Sequence, residues 1–144
     1  MTISTFKYNK LHFCVGRNSK SNWELLRSSN DTDIWIHLKN YPSCYVIIKC
    51  KKDILITGDH ITYAGKLCCL YSKIKNSNKK TASISYIECK YVKKGKSSGQ
   101  AILLKKPNEK NVKIHTFIET EAVSLTEEEE EEDYSDDDDG DDDY

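Results

Sequence analysis

Apolar residues in the first 120 positions come in short runs with the two-residue period of strands, and only one stretch has helical spacing. Leu11 to Gly16 predicts a strand, and Asn22 to Arg27 a short helical turn. Asp33 to Lys39 and Cys44 to Cys50 alternate cleanly and are separated by a tight loop containing Pro42, so they predict a hairpin. Thr57 or Asp59 is placed to cap a helix reaching about Lys75, with Ile61, Ala64, Cys68 and Tyr71 on one stripe. Ala82–Val92, Gln100–Lys105 and Val112–Phe117 read as further strands, with loops at Gly95–Gly99 and Pro107–Lys110. These elements define an α+β fold: a mostly antiparallel sheet, covered on one face, with one long helix and a short one.

The hairpin carries the most information. Side chains alternate across a strand, so Ile34, Ile36 and Leu38 share one face while Asp33, Trp35, His37 and Lys39 share the other. On the second strand Cys44, Val46 and Ile48 oppose Tyr45, Ile47 and Lys49. A one-residue slip would expose the whole apolar set. The expected register therefore places Ile36 opposite Val46, Leu38 opposite Cys44, His37 opposite Tyr45, Trp35 opposite Ile47 and Asp33 opposite Lys49. One face is core. The other is either packed beneath a further segment, or an exposed platform on which Trp35 and His37 stack bases with Lys39 and Lys49 at the rim.

Charge changes the picture more than composition does. From Glu121 to Tyr144 there are 15 acidic residues and no lysine or arginine, which leaves 8 acids and all 22 basic residues in positions 1–120. The formal net charge of −1 therefore conceals a body of +14 and a tail of −15. The division predicts a basic domain over 1–120 and a disordered acidic tail over 121–144, because the tail holds too little apolar surface to offset chain entropy. A body so basic repels itself unless it meets polyanions, and its charge exceeds what solubility requires. Lys73, Lys75, Lys79 and Lys80 surround the end of the predicted helix, and Lys90, Lys93, Lys94 and Lys96 come next along the chain. The tail either folds back on the body or serves a basic partner.

Other features narrow the function classes. No run approaches the roughly 18 apolar residues of a membrane span, and the start of the chain lacks a signal-peptide core, so an intracellular, cytoplasmic protein is expected. The six cysteines form no CxxC pair, so they are expected to be reduced and no structural zinc is expected. Gly95-Lys96-Ser97-Ser98-Gly99 lacks the phosphate-loop spacing and reads as a hairpin loop. His37 has no nucleophile or second carboxylate at an evident spacing, so the chain is expected to be neither an enzyme nor a cofactor protein.

Several residues together resemble a known family. Gly16-Arg17-Asn18 ends a strand and is followed by Asn22 and Leu25-Leu26, then by Asp33-Ile34-Trp35-Ile36-His37-Leu38 and by Pro42-Ser43 with Val46. This is similar to the NFACT-R domain of ribosome-quality-control factors of the NEMF/RqcH kind and of small stand-alone proteins. Leu70-Tyr71-Ser72-Lys73 resembles the end of the family's helix, and Tyr91-Val92-Lys93-Lys94 followed by Gly99 resembles its K-V-x-K…PG stretch. Tyr45 stands where the family has a second histidine. The large members add a tRNA-binding lobe and coiled coils, which these 144 residues are not expected to contain. The resemblance implies an RNA-binding domain working near ribosomes or tRNA, with Arg17, Asn18, Asn22, Asp33, Trp35, His37 and Ser43 at matching positions.

The residues themselves leave roles open. Arg17 would fork onto a phosphate or pair with Asp33, and Asn18 would cap the short helix. The candidate nucleic-acid contacts are Arg17, Asn18, Asn22, Trp35, His37, Lys39, Lys49, Lys73, Lys90, Lys93 and Lys94. The expected partner is RNA, with DNA as a further possibility. The alternative function is a protein-interaction adaptor using the Trp35 face or the tail.

Overall fold

Strands β1 (Ile3–Tyr8) and β2 (Leu11–Gly16) open the chain as an antiparallel hairpin in the computed structural model, which describes residues 3–96 and 100–114. Asn9 and Lys10 turn it with φ of 47° and 73°, the two positive dihedrals that let a two-residue turn follow strand twist. Helix α1 (Ser19–Arg27) follows, then the hairpin β3 (Ile34–Leu38) and β4 (Tyr45–Lys49), helix α2 (Gly58–Leu70), β5 (Thr81–Glu88), β6 (Val92–Lys94), β7 (Ala101–Leu103) and β8 (Asn108–Lys113). Six strands form one sheet in the order β1-β2-β4-β3-β5-β8, every pair antiparallel, and β6 and β7 form a separate two-stranded ribbon.

The architecture is α+β with a mostly antiparallel sheet, as expected. The central hairpin has the expected register, with Ile36 opposite Val46 and Trp35 opposite Ile47. Beyond Ile36 the ladder changes hands. The Leu38 N–H donates to the Ser43 hydroxyl at 3.1 Å, and that hydroxyl donates to the Cys44 carbonyl at 2.8 Å, so a side chain replaces the expected Leu38–Cys44 pairing.

Several boundaries differ from the sequence expectation. The two helices have 9 and 13 residues, and α2 stops at Leu70 rather than near Lys75. A 3-10 turn at Lys73–Asn76 takes over and seats Ile74 in the core. The short turn predicted at Asn22–Arg27 is a helix starting at Ser19, because Asn18 and Ser21 close a capping box. Strand β1 had no predicted counterpart. Strand β8 begins within the predicted 107–110 loop. The strand expected over 82–92 ends at Glu88, where a 3-10 turn at Cys89–Tyr91 redirects the chain into β6. The acidic segment from 121, and the boundary at 120, lie outside the described residues.

Two cores result, not one. Helix α2 packs Ile61, Ala64, Leu67 and Cys68 against Phe13, Val15, Ile36, Val46, Ile48 and Ile84. The helix lies close to the sheet at Gly65, where a Cβ would stand 2.8 Å from Ile84 and 2.9 Å from Val112. Its start is fixed by Thr57 and His60. The Thr57 N–H donates to His60 Nδ1 at 3.0 Å, which leaves the proton on Nε2 to be donated to the Asn9 carbonyl at 3.0 Å. On the opposite face, Trp35, Tyr45, Ile47 and Ile87 are covered by Trp23 and Leu25 of α1 and by Val92, Ala101 and Leu103 of the ribbon. The sheet is therefore covered on both faces, which corrects the one-sided expectation.

Candidate nucleic-acid interface

The cover on that second face decides the fate of the expected stacking platform. Trp35 is 3% exposed and His37 7%, and their rings stack with centroids 5.4 Å apart and 6° between planes. Tyr45 stands edge-on to both, at 5.4 Å and 5.6 Å, and Trp23 of α1 meets Tyr45 edge-on at 5.8 Å. The four rings form a closed aromatic cluster, so the platform reading of Trp35 and His37 is corrected to the packed one. Burial pushes the His37 imidazole down to about 4, against the opposing effect of a backbone hydrogen bond at Leu38, so at neutral pH it carries no charge to offer a phosphate.

The remaining residues of the family-like motif build this region. Asn18 caps α1 by accepting from the Ser21 N–H at 2.9 Å. Asn22 is buried and its Oδ1 accepts from the Tyr45 N–H at 3.1 Å, tying α1 to β4. Gly16 is required beside it, since a Cβ there would stand 2.6 Å from Asn22 Oδ1 and 3.0 Å from Asn22 backbone atoms. Arg17 is buried, lies 4.7 Å from the Tyr71 ring centroid and donates to the Ser4 hydroxyl at 3.1 Å, not to Asp33. Asp33 is buried instead against Lys49, at 2.8 Å, and accepts from the N–H groups of Asn30 and Cys50 at 2.9 Å each. Lys39 pairs with Glu109 at 3.0 Å. Of the expected contacts, then, Arg17, Asn22, Trp35 and His37 are buried, Asn18 caps α1, and Lys39 and Lys49 are paired with carboxylates.

The lysines separate into two groups. Strand β5 spans eight residues, roughly 23 Å, with Lys73, Lys75, Lys79 and Lys80 before its start and Lys90, Lys93 and Lys94 beyond its end. Lys73 therefore does not join Lys90, Lys93 and Lys94. The latter three lie on the 3-10 turn and the ribbon, and β7 leads directly to Lys105 and Lys106, which were not among the expected contacts although Lys105 ends the predicted strand and Lys106 follows it. Lys93 and Lys94 pair with Ile102 and Ala101 across the ribbon, and the Leu104 N–H donates to the Tyr91 carbonyl at 2.8 Å. Aromatic rings set the amines: Lys90 and Lys105 lie 5.3 Å and 4.6 Å from the Tyr91 centroid, and Lys94 lies 5.6 Å from Trp23. Among the described residues none of these five lysines is in an ion pair.

Beside them opens a cleft of about 360 Å3 between the start of α2 and the end of β5. Ile34, Ile56 and Ile61 give it an apolar lining, with Tyr91, Lys105 and Lys106 beside them and Glu88 as the one acid. No cluster of metal-ligating side chains occurs among the described residues. Burial above all pushes the Cys69 and Cys89 thiols up to about 12 and Cys50 up to about 11, so these three are not activated. No helix among the described residues is long and apolar enough to cross a membrane.

Fold and surface together define a small α+β domain with a basic ribbon laid on a covered antiparallel sheet. Residues 1–106 match the family described as the NFACT protein RNA binding domain, and the chain belongs to that family. RNA binding is the general function its description gives. Among solved structures, the C-terminal part of the fibronectin/fibrinogen-binding protein from Streptococcus suis shares the fold, with a TM-score of 0.61 and 22% identity. The alignment covers 79% of this chain and 45% of that one, so the chain spans less than half of that structure's length. A search of the curated proteins finds no match.

Proposed function

We propose that this chain binds RNA through the ribbon surface formed by Lys90, Lys93, Lys94, Lys105 and Lys106, as a non-enzymatic module. The observation that carries this reading is the contrast among the cations: Lys39 and Lys49 are neutralised by carboxylates, while the five ribbon lysines are in no ion pair among the described residues and three are held over aromatic rings. Groups so placed meet phosphates by charge, not base edges by pattern, so binding is salt-sensitive and weakly sequence-specific. The similarity to domains of ribosome-quality-control factors supports a cytoplasmic target associated with ribosomes or tRNA.

The test is fluorescence anisotropy with a short single-stranded RNA across a salt series. Five phosphate contacts give a slope of log affinity against log salt near −3.5, at about 0.7 per contact. Replacing Lys90, Lys93 and Lys94 by Gln is expected to flatten the slope by about 2. An affinity indifferent to salt would reject the reading.

A protein-adaptor role is the second reading. Trp35 does not serve it, being sealed, but Ile102 and Leu104 on the ribbon are 45% and 55% exposed and offer an apolar contact. Partner capture that survives nuclease treatment and is lost in Ile102→Ser with Leu104→Ser would favour it.

A further inference from the structure

We infer that the cleft beside the ribbon holds a single unstacked nucleotide of the bound strand, its base against Ile34, Ile56 and Ile61 and its phosphate on Lys105 and Lys106. This inference rests on the RNA-binding reading and adds to it what the ribbon alone does not provide, a recess that admits an unpaired base and excludes a duplex.

Size and chemistry agree. Ligand clefts run from roughly 300 to 1,000 Å3, and about 360 Å3 suits one nucleotide rather than a stacked run. The apolar lining matches a base plane, and the two lysines in the same lining offer cations to its phosphate. Tyr91 holds Lys105 by its ring face, 4.6 Å from the centroid, so that the cation is positioned before the strand arrives. Glu88 is the one carboxylate in the lining and accepts, so it suits the exocyclic amino group of adenine or cytosine. The other acid near the start of α2, Asp59, is occupied by the Tyr8 hydroxyl at 2.8 Å and by Asn9 at 3.5 Å.

Gly58 allows a test that leaves every charge in place. It lines the cleft, and a Cβ built on it has only Lys110 Nζ within 4 Å, at 3.8 Å, so the space beyond is open. Gly58→Trp fills the recess, and Gly58→Ala serves as the folding control. The probes are a ten-nucleotide oligoadenylate, the same strand with one 2-aminopurine, a blunt RNA duplex, and adenosine monophosphate alone. The expected result is a loss of at least fivefold in oligoadenylate affinity for Gly58→Trp, with duplex binding unchanged and the 2-aminopurine fluorescence response of wild type abolished. Gly58→Ala is expected to behave as wild type. Equal oligoadenylate affinity in wild type and Gly58→Trp would overturn the nucleotide cleft while leaving ribbon binding intact. Failure of wild type to bind either RNA would instead remove the proposed function itself. Adenosine monophosphate binding as tightly as the strand would assign the recess to a free nucleotide and overturn its place in strand recognition.

Discussion

At the scale of single residues, much of the family-like motif is packed inside the fold. Trp35, His37 and Tyr45 fill the second core, and Asp33 anchors two backbone N–H groups and Lys49. Truncating such a ring destabilises by about 3–5 kcal/mol, so Trp35→Ala is expected to lower the urea midpoint sharply. Trp35→Leu, which keeps an apolar side chain but no aromatic face, is expected to leave RNA affinity of the folded protein within about twofold, whereas a base platform would lose one stacking contact of about 1–3 kcal/mol. His37 adds a pH signature. Its pKa is about 4 in the fold and ordinarily 6.5, so the unfolded chain binds the extra proton between those values. Stability therefore rises with pH through this window and is lost as pH falls. Urea titrations at pH 7 and pH 5 should show a drop that is smaller in His37→Gln by roughly 2 kcal/mol, and an identical drop in both proteins would contradict the buried, neutral imidazole.

At the scale of elements, local rules governed what could be read. The β3–β4 register was legible because period-two alternation excludes a one-residue slip and the tight loop at Pro42 limits larger ones, and the start of α2 was narrowed to Thr57 or Asp59 because such side chains cap, Thr57 being the one that does. The cover on the Trp35 face was not. It comes from α1, whose contact is made by Trp23 and Leu25, and from β6 and β7, whose three residues each are too few to display a period. The same short ribbon explains why Lys105 and Lys106 escaped notice. They lie next to Lys90 only because the Cys89–Tyr91 turn folds the chain back, with Leu104 bonded to the Tyr91 carbonyl. The contact between α1 and the sheet depends on Gly16. Gly16→Ala would force Asn22 aside and is expected to destabilise by about 2 kcal/mol or more, read by thermal unfolding. Thr57→Ala removes one cap and is expected to cost about 1 kcal/mol.

At the scale of the whole molecule, the opposed charges of the body and the acidic segment are the dominant feature, +14 against −15. A tethered polyanion competes with RNA at high effective concentration, so a chain ending at Thr120 is expected to bind RNA more tightly than the full chain at low salt, with the difference closing as salt rises. Equal affinities at low salt would mean that the acidic segment ignores the body. Lysines occupy both ends of β5, so where RNA lands distinguishes the two surfaces. The most direct measurement compares single-stranded RNA affinity, at one moderate salt concentration, for two charge-neutralised variants of the full chain. Gln at Lys90, Lys93, Lys94, Lys105 and Lys106 is predicted to weaken binding by about 100-fold or more, and Gln at Lys73, Lys75, Lys79 and Lys80 by only a few-fold. Equal losses from the two sets, or a larger loss from the second, would contradict the ribbon as the RNA-binding surface.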